Sequence, residues 1–286
     1  MRIALIGARG QLGTALQGCL SEEILPFGHD TLDITDTGSV AEVLQRVEPD
    51  LVINAAAYNL VDQAEEEPQQ SYAVNALGPR NLALVCGERD LPLLHISSDY
   101  VFGLDGVRES PYQETAAPGP LGAYGLSKLA GEYYVRSLCR RHFVVRTCGL
   151  YGLATATSKE NFIDKIYRLG VERGEVSVVN DQWCTPTSVV DLARGLCDLI
   201  RTDRYGLYHG TNTGGTTWHG LASEVFRCTG RDVQVKAVAS SEFKTRARRP
   251  PYSVLNTDKL SGVLGYPLPE WTAAVATYLR QRGLVG

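Results

Sequence analysis

The sequence has no surplus of basic charge: 28 Lys and Arg stand against 32 Asp and Glu, a formal net charge of -4. Nothing in that balance draws the chain to a polyanion, so nucleic acid is disfavoured as a partner. No segment reaches the ~20 apolar residues of a membrane helix. The amino-terminal apolar stretch gives way at Gly7 to a glycine-rich turn, too early for a signal peptide. The seven cysteines (Cys19, Cys86, Cys139, Cys148, Cys184, Cys197, Cys228) contain no Cys-x-x-Cys pair, and their odd number argues against a closed disulfide framework. The five histidines lack metal-ligand spacing. Internal repeats, low-complexity tracts and long linkers are absent as well. The expectation is a protein of a reducing compartment, cytoplasmic, without membrane or metal.

What the chain does have is length and alternation. Its 286 residues, 44% hydrophobic and 21% charged, can bury a sizeable core. Short aliphatic runs near residues 2-7, 23-27, 50-54, 92-97 and 142-147 alternate with stretches at helical spacing over 11-20, 37-47, 69-88 and 124-140. That rhythm predicts βαβ units and a doubly wound parallel sheet. From about residue 150 it loosens into a loop (149-158), a helix near 160-173, a strand near 175-179 and a helix near 188-201. A basic loop with Lys244, Arg246, Arg248 and Arg249 then leads into Pro250-Pro251. The expected fold is α/β, a doubly wound parallel sheet with a smaller C-terminal substrate lobe. Residues 1-148 form the nucleotide-binding domain, joined again by about 186-212, and 149-286 form mainly the substrate-binding lobe.

Gly7, Gly10 and Gly13 follow the first expected strand and open the first expected helix. A turn free of Cβ atoms lets a pyrophosphate approach the helix N-terminus, where unpaired N–H groups favour an anion. Strand, turn and helix agree, so the pattern reads as a Rossmann-type dinucleotide site rather than a mere tight turn. The acidic residue that binds a ribose 2′-OH at the end of the second strand is missing from Phe27-Gly28-His29-Asp30, with Asp30 and Asp33 within reach. Arg9 and His29 suit a 2′-phosphate instead, which leans the reading to NADP. The alternative, two solvated loop residues, stays open.

Tyr124 and Lys128 stand four residues apart on an expected helix, hence on one face. Such a pair is common by chance. Its weight comes from Ser97-Ser98-Asp99, just past the fourth expected strand, at the sheet edge where ligands bind. Carbonyl reduction needs hydride at carbon and a proton at oxygen, so it needs an acid bonded to that oxygen. Tyr124 is that acid, Lys128 the cation expected to lower its pKa, and Ser98 the hydroxyl that orients the substrate oxygen. Arg249 offers a fork for a diphosphate, with a solvated basic turn as the bland alternative. Asp62, Glu65, Glu66 and Glu67 read as a solvated acidic helix start.

Several runs together resemble one family. They are Gly7-Ala-Arg-Gly-Gln-Leu-Gly13, Leu32-Asp-Ile-Thr-Asp36, Asn54-Ala-Ala-Ala-Tyr-Asn-Leu-Val-Asp-Gln-Ala-Glu65, Ile96-Ser-Ser-Asp-Tyr-Val-Phe102 and Tyr124-Gly-Leu-Ser-Lys128. Asn161-Phe162, Asn180-Asp-Gln182, Pro186-Thr187, Arg249-Pro250, Ser253 and Leu255 continue the match. The chain is similar to the dTDP-4-dehydrorhamnose reductases, extended short-chain dehydrogenases that reduce the 4-keto group of dTDP-4-dehydro-β-L-rhamnose with NADPH or NADH. The resemblance implies Tyr124 as proton donor and Lys128 on the nicotinamide ribose. It places Gly7, Gly10, Gln11, Leu12, Gly13, Asp33, Ile34, Ala56, Ala57, Tyr58 and Asn59 along the cofactor. Ser98, Asp99, Tyr124, Asn161 and Arg249 fall to a nucleotide-sugar substrate.

One departure concerns the sugar: many members carry tryptophan in an Arg-Thr-Ser-Trp-x-Tyr-Gly run, where this chain reads Arg146-Thr-Cys-Gly149-Leu-Tyr-Gly152. Among alternatives, a 4,6-dehydratase would need a glutamate where Tyr100 follows Asp99. An epimerase of another nucleotide sugar would retain its cofactor. A non-catalytic subunit, like the regulatory β subunit of methionine adenosyltransferase, would not need Tyr124, Lys128 and Ser98. A second copy of the chain, in a homodimer, is compatible with all of these. With Arg9 and His29 beside a 2′-phosphate, the Michaelis constant for NADPH is expected below that for NADH, and a clear NADH preference would remove that reading.

Overall fold

In this computed structural model, residues 1–286 are described apart from 107, 154, 156–159, 244 and 286. Lys244 and much of the 149-158 loop therefore lie outside the described residues. The first half follows the expected alternation: β1 (Arg2–Ile6), α1 (Gln11–Cys19), β2 (Glu23–Phe27), α2 (Thr37–Val47), β3 (Leu51–Asn54), α3 (Pro68–Tyr72), α4 (Gly78–Glu88), β4 (Leu93–Ser98), α5 (Ala123–Leu138) and β5 (His142–Thr147). The expected 69-88 helix is split by a π-helical turn at Ala73–Leu77. The wider turn carries Asn75, whose buried amide is bonded to both polar groups of the Tyr58 peptide.

The second half contains β6 (Leu150–Tyr151), α6 (Phe162–Arg173), β7 (Glu175–Val179), β8 (Trp183–Cys184), β9 (Thr187–Ser188), α7 (Val189–Leu199), β10 (Gly206–His209), β11 (Thr216–Thr217), α8 (Trp218–Thr229), β12 (Gln234–Val238), α9 (Asp258–Leu264) and α10 (Trp271–Gln281). A six-stranded sheet runs in the order β10-β5-β4-β3-β1-β2. Every pairing in it is parallel. The order reverses at β1, which puts a crevice between the carboxyl ends of β1 and β3.

Alternation along the strands divides the core into layers. Ile3, Leu5, Ile53, Leu94 and Val145 face Leu12 and Leu16 of α1 and Leu192 and Leu196 of α7. Ala4, Ile6, Val52 and Val144 face Val43, Leu82, Val85 and Val135 of α2, α4 and α5. A separate core joins Ile163, Ile166, Leu221, Val225, Phe226, Val275 and Leu279 of α6, α8 and α10 with Val176 and Val178 of β7. That core forms the smaller lobe. No described helix is long and apolar enough to cross a membrane.

The glycine turn shows why side chains are excluded there. Gly7 has φ +78°, and a Cβ on it would lie 2.6 Å from the Ala56 nitrogen. A Cβ on Gly13 would lie 2.8 Å from Ala8 Cα and drive into the Gly7 carbonyl. Gly13→Ala is expected to push α1 off β1 and lower the thermal midpoint by roughly 2–10 °C. An unchanged midpoint in calorimetry would contradict this packing.

Candidate active site

The carboxyl ends of β1, β3, β4 and β5 open on a cavity of about 780 Å³. Gly10, Gln11, Leu12 and Gly13 line one end, Ala57, Tyr58 and Asn59 a side, and Ser98, Asp99, Tyr124 and Lys128 the floor. Asn161 and Arg249 reach the same space from the second half of the chain. Gly7 and Ala56 shape the turn from behind, where Gly7 bonds Phe27 and Ala56 bonds the Asn54 side chain.

Asp33 and Ile34 are not brought to this cavity. Asp33 turns its carboxylate onto the backbone N–H and hydroxyl of Thr35, bonds that hold it below its ordinary pKa. Ile34 is buried against Gly78 in the sheet core. Arg9 is ion-paired with Asp30 at 2.8 Å on the surface. The acid and the base that the sequence offered as rival ribose ligands are thus bonded to each other.

Each reactive side chain has an identifiable position. Ser98 ends β4, accepts a bond from the Tyr100 N–H and donates to Asp99 Oδ1 at 3.1 Å. Asp99 is buried, and desolvation raises its pKa against the opposing bonds from Cys148, Ser253 and Ser98. Tyr124 packs edge-on to Tyr100, with ring centroids 5.5 Å apart. Its phenol is pushed up to about 12 by burial, with a Ser98 hydrogen bond opposing. Lys128 is drawn down to about 8 by burial, partly offset by the Glu132 carboxylate. Its Nζ donates to the Ile96 carbonyl at 2.6 Å.

The expected lowering of Tyr124 by Lys128 is not found. Desolvation dominates, and the ammonium is turned onto the backbone of β4. Tyr124 therefore stays protonated through the neutral range.

Two further expectations change in detail. Asn161 caps α6, accepting from the Asp164 N–H while its amide donates to Gly152 and Tyr278, so its side chain is engaged by the fold. Arg249 donates to Asp62 at 2.8 Å, with Arg246 on Glu66 at 2.5 Å. The acidic stretch is thus a partner of the basic loop rather than a solvated helix start. Glu65 accepts from the Ala123 N–H at the start of α5, and Glu67 from the Tyr58 hydroxyl.

Sequence reasoning did not single out Cys148, Cys184, Trp183 or Trp218, all of which line the cavity. No spacing signal announces them as a set, because they come from three separate segments, Cys148 after β5, Trp183 and Cys184 in β8, and Trp218 at the start of α8.

A family model described as the RmlD substrate binding domain matches residues 1–283. The chain belongs to that family. A dTDP-4-dehydrorhamnose reductase of Streptomyces griseus is 40% identical over 284 residues, covering 96% of this chain and 91% of that protein. A dTDP-4-keto-6-deoxy-D-glucose reductase of Streptomyces niveus is 39% identical over 279 residues, covering 96% and 95%. The crystal structure of dTDP-4-dehydrorhamnose reductase from Bacillus anthracis in complex with NADP superposes with a TM-score of 0.92 at 39% identity, covering 98% of this chain and 99% of that one. The resemblance read from the motifs is borne out along nearly the whole chain, as is the doubly wound fold.

Gly149, where the sequence departs from the resembled motif, has φ +52° and lies against Pro186 and Thr185. The wall there carries Cys148, whose thiol donates to Asp99 Oδ2 at 2.9 Å.

Because Lys128 is held near 8 in the folded protein, its charge is lost as pH rises through that value. If its ammonium serves the reaction, kcat is expected to fall above about pH 8. A profile flat to pH 10 would separate Lys128 from the chemistry.

Proposed function

We propose that this chain reduces the 4-keto group of dTDP-4-dehydro-β-L-rhamnose to dTDP-L-rhamnose, with NADPH as the hydride source and Tyr124 as the proton donor. NADH is the second choice of cofactor. The observation that carries this reading is the meeting of Tyr124, Lys128 and Ser98 in one cavity whose far end is the glycine turn.

The residues present fit a dinucleotide. Gly10 caps α1 without a side-chain hydrogen bond, leaving the first-turn N–H groups to face the cavity. The glycine turn would hold the pyrophosphate and Lys128 the nicotinamide ribose. When bound, NADPH supplies the hydride. Tyr124 gives its proton to the carbonyl oxygen as charge develops there, which its high pKa permits throughout the neutral range. The Ser98 hydrogen bond favours the phenolate left behind and orients the substrate oxygen. The buried Asp99 carboxyl stands beside Ser98 to meet the sugar.

Residues 1-148, with 186-212 returning to the sheet, would carry the cofactor, and the rest of 149-286 the nucleotide sugar. In support, a second cleft of about 1080 Å³ adjoins the first, sharing Gln182, Trp218 and Arg249 and lined also by Lys165, Arg173 and Arg248. Those cations suit a diphosphate. The unpaired state of all seven cysteines supports a reducing compartment, the cytoplasm. The 39% identical dTDP-4-keto-6-deoxy-D-glucose reductase of Streptomyces niveus favours a second substrate reading, another dTDP-4-keto-6-deoxy sugar, as does Gly149, which brings no side chain to the site.

The test is NADPH oxidation followed by absorbance, with dTDP-4-dehydro-L-rhamnose and dTDP-4-keto-6-deoxy-D-glucose offered in parallel. The first sugar is expected to turn over faster, and Tyr124→Phe is expected to lower kcat by roughly 10²–10⁴-fold. Equal activity of the two proteins would overturn the mechanism, and turnover of neither sugar the function.

A further inference from the structure

Tyr124, Lys128 and Glu132 follow one another at four-residue steps along α5, so one face of the helix carries all three. The first two line the cavity, while Glu132 lies one turn deeper and has no exposed surface. A buried carboxylate needs partners that repay its lost hydration. Arg146 Nε donates to Glu132 Oε1 at 2.8 Å, Arg146 Nη2 donates to Oε2 at 2.7 Å, and Ser97 Oγ donates to Oε1 at 2.6 Å. Ser97 immediately precedes Ser98 on β4, and Arg146 precedes Thr147, the last residue of β5, with Cys148 just beyond it. Those two strands pair with Ser97 opposite Arg146. A single carboxylate thus bonds the helix carrying the acid to the strand ends carrying its partners.

We propose that Glu132, held by Arg146 and Ser97, is a positioning residue of the reductive site: it fixes the Tyr124–Lys128 face of α5 against the strand end bearing Ser98, and its carboxylate is the counter-charge of the Lys128 ammonium. The inference rests on the reductase reading for its kinetic consequence, and for its electrostatic one on the four-residue step from Lys128 to Glu132 along α5 together with the pull of the Glu132 charge on the Lys128 ammonium.

Among the described residues, Glu132 of α5 and His95 of β4 interact with the Lys128 charge, Tyr124 of α5 and Asp99 after β4 share its cavity, and Arg146 of β5 is bonded to Glu132. His95 is pushed well below its ordinary value by burial, with Lys128 adding to that, so it is neutral. Asp99 is shifted toward its neutral form by burial. Tyr124 is a neutral phenol. Glu132 is the charge that raises the Lys128 pKa against burial. Glu132→Gln removes that charge and leaves the Arg146 cation unpaired, and both changes drive the Lys128 pKa down.

The chain has six lysines (Lys128, Lys159, Lys165, Lys236, Lys244, Lys259), so a protein labelled with ¹³C at the lysine ε-carbon gives a spectrum of six signals, assignable for Lys128 by Lys128→Met. The Lys128 titration is expected to move down by about one pH unit or more in Glu132→Gln. The alkaline fall of kcat should move with it, and Glu132→Asp should restore the wild-type midpoint at reduced kcat. A midpoint unchanged in Glu132→Gln would overturn the proposal, because loss of packing alone would not move it.

If Glu132→Gln does not fold, Ser97→Ala carries the test. It removes one bond to the carboxylate and no charge, so kcat should drop several-fold with the Lys128 midpoint unmoved, and wild-type kcat would overturn the proposal. Failure of the reductase reading shows separately, as a wild-type protein that oxidises NADPH with neither sugar.

Discussion

A single helix must lie in register against two strand ends before any of the chemistry can exist. Tyr124 and Lys128 belong to α5, whereas Ser98 ends β4 and Asp99 opens the turn after it, some 30 positions earlier in the chain. The Glu132–Arg146 pair, with Arg146 and Glu132 side chains 2% and 0% exposed, makes that alignment polar and directional rather than merely apolar. A buried ion pair contributes little net stability over a hydrophobic pair, and breaking it costs ~3–5 kcal/mol because one charge is left uncompensated. Its value lies in admitting one registration. The stacked Phe102 and Tyr112 rings and His209 close the same region from the other side, with the Arg146 guanidinium 4.9 Å above the Phe102 ring centre.

The other organising contact joins distant parts of the chain across the cavity mouth. The segment after β3 supplies Asp62 and Glu66, and the loop before Pro250 supplies Arg249 and Arg246. Asp62 also accepts from the Ala247 N–H, so the loop is held by backbone as well as side chain. The segment after β3 and the basic loop are therefore tied through charge. Arg249 is half-buried and bonded on its Asp62 side, while it also lines both clefts. Its Nη1 and Nη2 both donate to the Asp62 carboxylate, and that pair fixes the guanidinium at the place where the two clefts meet.

The parallel sheet was legible because its central strands β1, β3, β4 and β5 are short and almost wholly buried, and because helical spacing returns between them. The glycine turn was legible for a steric reason: Gly7 and Gly13 occupy places where no Cβ fits. Tyr124, Lys128 and Ser98 were legible as a set, through a four-residue step and a strand end. The π turn at Asn75, the strand β10 and the helices after residue 213 left weaker marks, since their stability comes from contacts with segments far along the chain. Asp33, Ile34 and Asn161 show the limit from the other side: the motif contains them, and the fold uses Asp33 for a turn, Ile34 for the core and Asn161 for a helix cap.

The sequence by itself determined the periodicities, the side-chain-free turn and the chemical identity of the acid, its cation and its hydroxyl, because each is a property of neighbouring residues. Only the tertiary structure decided which charges meet. It paired Arg9 with Asp30 and Arg249 with Asp62, buried Glu132 on Arg146, and set the protonation of Lys128 and Tyr124 by the depth at which each lies. Hydration and Coulomb energy depend on distances between residues that are remote in the chain, and no local pattern encodes them.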